Sequence, residues 1–556
     1  MKYIKKFENH SEYTEYIDSE NKVLPNVSSC VDDESVHFNP SEKLNQYAEI
    51  TAILYVSSTS STSLVGNNPV GVLKDVEIDG EQKGCINTYT FDTIGEHVVK
   101  YRFYGETVPN GICRGLPFTS VTIHNSVTTI DTYAFQYCTR LTSVTIPDSV
   151  TKIGINAFSE CTGLTSIKIP GNVKNIDNYA FQGCTALVNL ELSDGIVSIG
   201  KQAFENCNNL NCDLIIPDSV TYIGYHAFKD TTFNNVKVGK GLTMIPEMAF
   251  YGCTMEHIVI GENVERLCRE SFFSCNNLKE IVIPRNVKKI EYEAFLACYS
   301  LTNVKFETID CILEDCAFTA CVKLTNIDFG TGTLVLGENA FVGCYALKGL
   351  IVPSNVKSIG KNCFGGASFD NLVLNCDIVG DNPINNAVKN LVLGSNIKEM
   401  GLFDSIKNSG YIESVTVLCD ILPSFQSDYN LTQVTLGGNY TSIPDNTFNG
   451  CSKLSEIIVP EGVTTIGKQA FRSCSGLAYV ELPSTITSID NYAFYYSYHT
   501  LMKFIIKATT PPTLGTDVIY SSYFDGKIYV PASSVEAYKA ASGWSSFANK
   551  IEAIPS

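Results

Sequence analysis

The chain has 556 residues, 44% hydrophobic and 18% charged, with a formal net charge of −18. So acidic a balance opposes binding to nucleic-acid phosphates or to an anionic membrane surface, both of which call for basic patches. No stretch reaches the roughly 20 apolar residues of a membrane span, so neither nucleic acid nor membrane insertion is expected.

Residues 1–40 are polar and rich in Glu, Asn and Ser. Such a composition stays extended or takes its order from a partner. The opening MKYIKKFENHSEYTEYIDSE has early lysines but lacks the apolar core of a secretory signal, so no signal peptide is recognised. Val23 to Pro40, VLPNVSSCVDDESVHFNP, resembles a leader of tail and surface-fibre proteins from gut Bacteroidales phages and their prophages. That resemblance implies a docking segment on a virion. In residues 41–110 the runs YAEITAILYVS, GVLKDVEIDG and GEHVVKYRFYG alternate between turns of Gly, Asn and Asp. They are expected to form a small immunoglobulin-like β-sandwich that caps the first repeat of the next segment.

Residues 111–507 are repetitive. DTYAFQYCTRLTSVTIPDSVTKIGINAFSECTGLTSIKIP, Asp131 to Pro170, carries Ala134-Phe135 and then Ala157-Phe158, Cys138 and then Cys161, Leu141 to Pro147 and then Leu164 to Pro170. Taking the phenylalanine as marker gives Phe135, Phe158, Phe181, Phe204, Phe228, Phe250, Phe273, Phe295, Phe318, Phe341 and Phe364, at intervals of 22 to 24. After a gap of 84 residues, Phe448, Phe471 and Phe494 restore the spacing of 23. Strand-like runs survive inside the gap at 372–374, 391–393, 415–417 and 434–436, so about 365–447 reads as degenerate coils.

Each unit has two periodicities. Leu141, Val144 and Ile146 alternate as a strand does, and Pro147 ends it. Val150, Ile153, Ala157, Phe158 and Cys161 then recur at three and four residues, which predicts a helical or 3₁₀ return segment. A strand, a turn and a return within 23 residues make one coil of a solenoid whose strands pair in parallel and in register.

The pattern resembles the leucine-rich repeats of the BspA-like family, nearly literally in Leu454, Ile457, Val459, Pro460, Val463, Ile466, Gly467, Ala470, Phe471 and Cys474. The likeness runs from Phe118 to Lys507. It implies a mainly β leucine-rich-repeat solenoid, with a parallel sheet on one face and short helical or 3₁₀ segments on the other. It also implies adhesion and aggregation at microbial surfaces, often through host matrix proteins.

Cys138, Cys161, Cys184, Cys207, Cys253, Cys275, Cys298, Cys321, Cys344, Cys451 and Cys474 share one repeat position. In-register stacking holds their Cβ atoms about 4.8 Å apart, longer than the ~3.8 Å a disulfide prefers. A buried column of free thiols is therefore expected. Cys311, Cys316 and Cys321, near Asp310, Glu314 and Asp315, form the one cluster with a metal-like composition. Cys321 belongs to the column, and Cys316 reads as filling a slot shared with Cys363, so no metal site and no cofactor is expected. The seven histidines are scattered, and no Gly-x-Ser-x-Gly, His-Glu-x-x-His or Gly-x-x-x-x-Gly-Lys motif occurs. No enzymatic activity is expected.

Residues 508–556 break the repeat and are similar to the C-terminal cap of many BspA-like proteins. Ser533 and Glu536 have capping-box spacing, Val535 and Tyr538 make an apolar face, and Gly543 can stop a helix before Trp544.

Between the core-facing strand positions lie Thr122, Thr145, Lys168 and Glu191 in the early coils, an ordinary solvated face. Further on, Val259 with Val282, and Ile351 with Val373 and Val392, are expected to align as apolar stripes on the open sheet. Exposed contiguous apolar surface marks partner sites. The competing readings are that β-branched residues simply suit strands, or that the degenerate coils fold back over them. The function expected is non-enzymatic recognition of a protein or glycan on a host or neighbouring cell. The chain is expected to be extracellular, as a phage fibre or host-attachment protein. A bacterial surface adhesin and a structural spacer are the alternatives.

Overall fold

Inward and outward side chains alternate in the strand Ser166–Ile169: Ile167 and Ile169 are buried while Ser166 and Lys168 are exposed. It pairs in parallel and in register with the strand Asn189–Leu192 of the next coil, Ile167 opposite Leu190 and Lys168 opposite Glu191. This computed structural model describes residues 47–66, 71–385, 387–401, 411–497 and 500–555. The docking segment expected at 1–40 lies outside the described residues. After the strand, Val173 N–H closes a turn on the Pro170 carbonyl at 3.1 Å. A second strand, Asn175–Ile176, then pairs in parallel with Lys152–Ile153 on one side and Ser198–Ile199 on the other. Most coils thus contribute a rung to two parallel ladders, the second of which the periodicity did not single out.

The return segment differs from the expected helical or 3₁₀ form. Asn156 and Glu160 have φ of 54° and 59°, and equivalent residues such as Tyr133, Tyr137 and Tyr179 do likewise, which interrupts any helix. Amides alternate in direction. Ala157, Ser159 and Cys161 donate within the coil to Gly154, Asn156 and Phe158 at 3.2 Å. Asn156, Phe158 and Glu160 donate to Asn178, Ala180 and Gln182 of the next coil at 3.1, 2.7 and 2.7 Å. This face is a chain of turns tied rung to rung, so half of its hydrogen bonds run along the stack.

The phenylalanines stack through the interior. From Phe135 to Phe158, Phe181, Phe204 and Phe228 the ring centroids lie 5.1 to 5.5 Å apart and nearly parallel. Two members differ from the expected series. Phe272, not Phe273, continues the column, 5.6 Å from Phe250 and 4.9 Å from Phe295. Phe273 instead stacks outside it on Tyr251 at 4.7 Å. In the region 365–447, Phe425 holds the slot 5.7 Å before Phe448. Phe364 N–H reaches the Pro383 carbonyl at 2.8 Å, which puts the buried Ile384 in the phenylalanine place one coil on.

At the amino end the strands Tyr47–Val56, Leu73–Ile78, Glu81–Gly84 and Gly95–Tyr104 pair antiparallel. Tyr47–Val56 also pairs antiparallel with the first repeat strand, Phe118–Ile123, which in turn pairs parallel with Ser143–Thr145. One eight-stranded sheet therefore passes from antiparallel to parallel pairing. An immunoglobulin-like sandwich is not evident in this pairing. Alternation buries Ala48, Ile50, Ala52, Leu54 and Val56 on one face, and that face joins the core of the coils, with Tyr101 5.9 Å from Phe118 edge to face. Ser61–Ser63 and Thr88–Thr90 form a separate small antiparallel pair.

At the carboxyl end Lys527–Val530 and Ile551–Ala553 add two parallel rungs beyond Lys503–Ile506. Between them a helix, Val535–Ala540, packs on the last coils with Tyr538 buried and Val535 partly buried. The expected capping box is not formed. Ser534 is the N-cap and makes no side-chain cap, while Glu536 pairs with Lys539 at 3.0 Å. A 3₁₀ turn at Ala532–Ser534 leads into the helix and displaces the cap by one residue. Tyr538 Oη–H and Trp544 Nε1–H tie the segment to the Ala508 and Pro512 carbonyls at 2.9 and 2.8 Å. Gly543 has φ of 80° at the turn before Trp544.

Candidate binding surface

The open face of the first ladder carries the five residues expected to bind. Val259, Val282 and Ile351 are 61%, 42% and 67% exposed, and Val373 and Val392 are half-buried. Ile351 pairs in register with Val373, and Val373 with Val392, so these three sit side by side on successive rungs. The row continues into Thr416 and Thr435. The coils between Leu372 and Leu391, and between Val415 and Val434, have shortened to 19 residues, yet the ladder stays in register.

Val259 and Val282 are arranged differently. The strand His257–Val259 ends one ladder section and Glu280–Ile283 begins another, so no ladder pairing joins these two valines. Val259 pairs instead with Lys237, whose other neighbour is Ile215, 59% exposed. Val282 pairs with Lys305, and Lys305 with Asp328. The charged Lys305 and Asp328 therefore separate Val282 from the stripe at Ile351.

Polar side chains line the longer stripe. Asn390 Nδ2–H donates to Asn371 Oδ1 at 3.0 Å, and Ser414 Oγ–H to Asn390 Oδ1 at 2.7 Å. These amides are held in register beside the aliphatic row. In the early coils the same face is charged, with Lys168 on Glu191 at 2.5 Å. So exposed an ion pair contributes ~0–1 kcal/mol.

The thiol column is built by the turn chain. Cys161 Sγ–H donates to the Phe135 carbonyl one coil back at 3.2 Å, and Cys184, Cys275 and Cys298 repeat the bond at 3.2 to 3.3 Å. Burial pushes the Cys138, Cys253, Cys298 and Cys474 thiols up to about 12. All cysteines among the described residues are free thiols. Cys311 is buried in the second ladder, Cys321 belongs to the column and Cys316 is half-buried on the turn face. Cys316 and Cys363 do not share a slot. Cys316 N–H donates to Glu338, whereas the Cys363 carbonyl accepts from Phe341 and so stands where alanine usually does. Among the described residues no cluster of three or more His, Cys, Asp or Glu could hold a metal ion.

One buried polar ladder went unnoticed in the sequence. Glu205 accepts from Gln182 Nε2 at 2.7 Å, from Gln202, and from Lys229 Nζ at 3.3 Å. Burial pushes its carboxyl up, but the hydrogen bonds from Gln202, Gln182 and Lys229 outweigh it and hold the group below the usual carboxylate range. Burial, with Lys229 beside it, pushes His226 down to about 4. These groups satisfy one another across three coils, which makes the cluster a structural tie. Among the described residues no helix is long and apolar enough to cross a membrane.

A family model described as BspA type leucine rich repeat region (6 copies) matches residues 106–212, 211–316, 269–392, 311–424 and 422–525. No curated protein matches the chain. Among solved structures, a leucine-rich repeat protein from Bacteroides ovatus is similar at 22% identity and a TM-score of 0.39, covering 79% of this chain and 95% of that one. A leucine rich cell surface protein from Faecalibacterium prausnitzii shares 21% identity at a TM-score of 0.29, covering 68% and 88%. The pneumococcal vaccine antigen PcpA shares 18% at 0.30, covering 72% and 79%.

Proposed function

The chain belongs to the BspA-type leucine-rich repeat family, and on that premise we propose that it is a non-enzymatic adhesion and recognition protein that grips a protein partner with the open face of its first ladder. The register-aligned row Ile351, Val373 and Val392 carries this reading. Three β-branched side chains about 4.8 Å apart make a continuous apolar strip. The ordered amides of Asn371 and Asn390 flank it with hydrogen-bonding groups that need little rearrangement on binding. An apolar centre with a polar rim is the common anatomy of protein interfaces. Ile215, Val259 and Val282 form a second, interrupted apolar patch on the same face.

The test is adhesion of the purified chain to intact host and bacterial cells and to immobilised matrix proteins, beside the variants Ile351→Glu and Val373→Glu. A carboxylate in the strip should weaken binding roughly tenfold or more without shifting the melting temperature. Binding that survives both variants would make the face a spacer. The finer reading is that the protein rides on a phage particle, with residues 1–40 as its docking segment, and its support is the likeness of Val23 to Pro40 to fibre leaders. Peptides of this chain enriched in purified particles would support it. Enrichment in washed membranes would instead favour a bacterial surface adhesin.

A further inference from the structure

We propose that the carboxyl end of the array carries a separate binding site, a tyrosine-flanked cleft for a neutral oligosaccharide. It does not depend on the reading of the sheet face. The outward slot just after the column phenylalanine holds Arg472 and Tyr495 in successive coils. Phe494 N–H donates to the Val518 carbonyl, which puts Tyr520 in that slot one coil further on. The Arg472 guanidinium lies 5.8 Å over the Tyr495 ring, and Tyr495 lies 6.5 Å from Tyr520. Tyr496 stands 4.3 Å from Tyr495, and Tyr523 stacks 5.7 Å from Tyr520. Tyr496, Tyr520 and Tyr523 are all exposed. So dense a patch of exposed rings is unusual on a soluble surface and marks a contact site.

Beside Tyr520 opens a cleft of about 400 Å³, between the segment 514–522 and the turn 542–547 that follows the cap helix. That volume lies within the size range of small-ligand sites. Its lining decides the chemistry. Ser522, Ser542 and Ser546 present hydroxyls, and Asp517 is the one charged residue among the described lining. The Ser546 hydroxyl donates to the Gly543 carbonyl at 3.0 Å, which leaves its lone pairs available to accept from a ligand. The Asp517 carboxylate repels a phosphate, sulfate or carboxylate ligand, and among the described residues no Lys or Arg lines the cleft to offset it. A pyranose fits instead. Its C–H face packs on a tyrosine ring, while its hydroxyls, each donor and acceptor, meet the Asp517 carboxylate and the serines.

The full chain is titrated by calorimetry with soluble neutral cello-, xylo- and manno-oligosaccharides and with a proline-rich peptide, the other ligand that aromatic surfaces favour. Saturable binding of at least one of these sugars is expected. Tyr520→Ala and Asp517→Asn should each weaken it roughly tenfold, and Tyr520→Phe, which keeps the ring, should retain most of it. All three should melt as the parent does. Ile351→Glu should leave sugar binding intact while affecting cell adhesion, which separates the two sites. The proposal is overturned if none of these sugars binds at up to about 10 mM, if only the peptide binds, or if the Tyr520→Ala and Asp517→Asn variants bind sugar as the parent does.

Discussion

A thiol of the column fills volume and also donates its proton to the phenylalanine carbonyl one coil back, which already accepts an N–H of its own coil, so the thiol supplies that oxygen's second bond. Ala367 fills the same buried place after Phe364 with no side-chain donor, whereas in the coil of Phe494 a hydroxyl takes over the bond. There Ser497 replaces cysteine, is fully buried, and donates to the Phe471 carbonyl at 2.7 Å. The pH consequence comes from the raised values. In the unfolded chain a thiol loses its proton near 9, and in the folded chain Cys298 or Cys474 does so near 12. The contribution to stability is complete below pH 9 and is lost as pH rises toward 12, on the order of 1 kcal/mol per buried thiol per pH unit. The melting temperature should therefore fall steeply between pH 9 and 11, whereas a flat profile would contradict the buried column. At pH 7.5 a thiol reagent should label the exposed Cys85 quickly, with the column reacting only on unfolding.

The coil as an element shows which features the sequence exposes. Strand alternation has a period of two, so the buried Ile167 and Ile169, and the outward row at Ile351, could be assigned from residues alone. Apolar spacing of three and four could not separate a helix from a chain of turns, since both place Ala157, Phe158 and Cys161 inward. The deciding feature is positive φ at Asn156 and Glu160, which residue type does not announce. The ambiguity at Phe272-Phe273 had a signal that was missed. Cysteine follows the column phenylalanine by three residues in Phe158 and Cys161, and Cys275 therefore points back to Phe272. Phe272→Ala should cost about 3–5 kcal/mol, as for other fully buried aromatics. Phe273→Ala, which removes a half-exposed ring, should cost about 1 kcal/mol or less. Chemical denaturation of the two variants checks the assignment, and equal losses would refute it. The valines at 259 and 282 were less legible because the ladder breaks between them, a matter of backbone geometry rather than of side-chain type.

From Tyr47 to the carboxyl end the described coils share one hydrophobic core, running from Ala48 to Ile551. Antiparallel strands cover the first coil, and the helix with its Tyr538 and Trp544 anchors covers the last. The outermost amino-terminal strand, Glu81–Gly84, is four residues long and charged, which discourages pairing with other chains. Between these ends each coil leans on its two neighbours, so stability is a sum of local terms. Mechanically, such an arrangement is a row of links in series. Stretched between its ends in an optical trap, it should yield link by link. Each 23-residue coil should release about 80 Å of contour length, in place of a single rupture of the whole core. A tether built this way lengthens under load and so lowers the peak tension on whatever it holds.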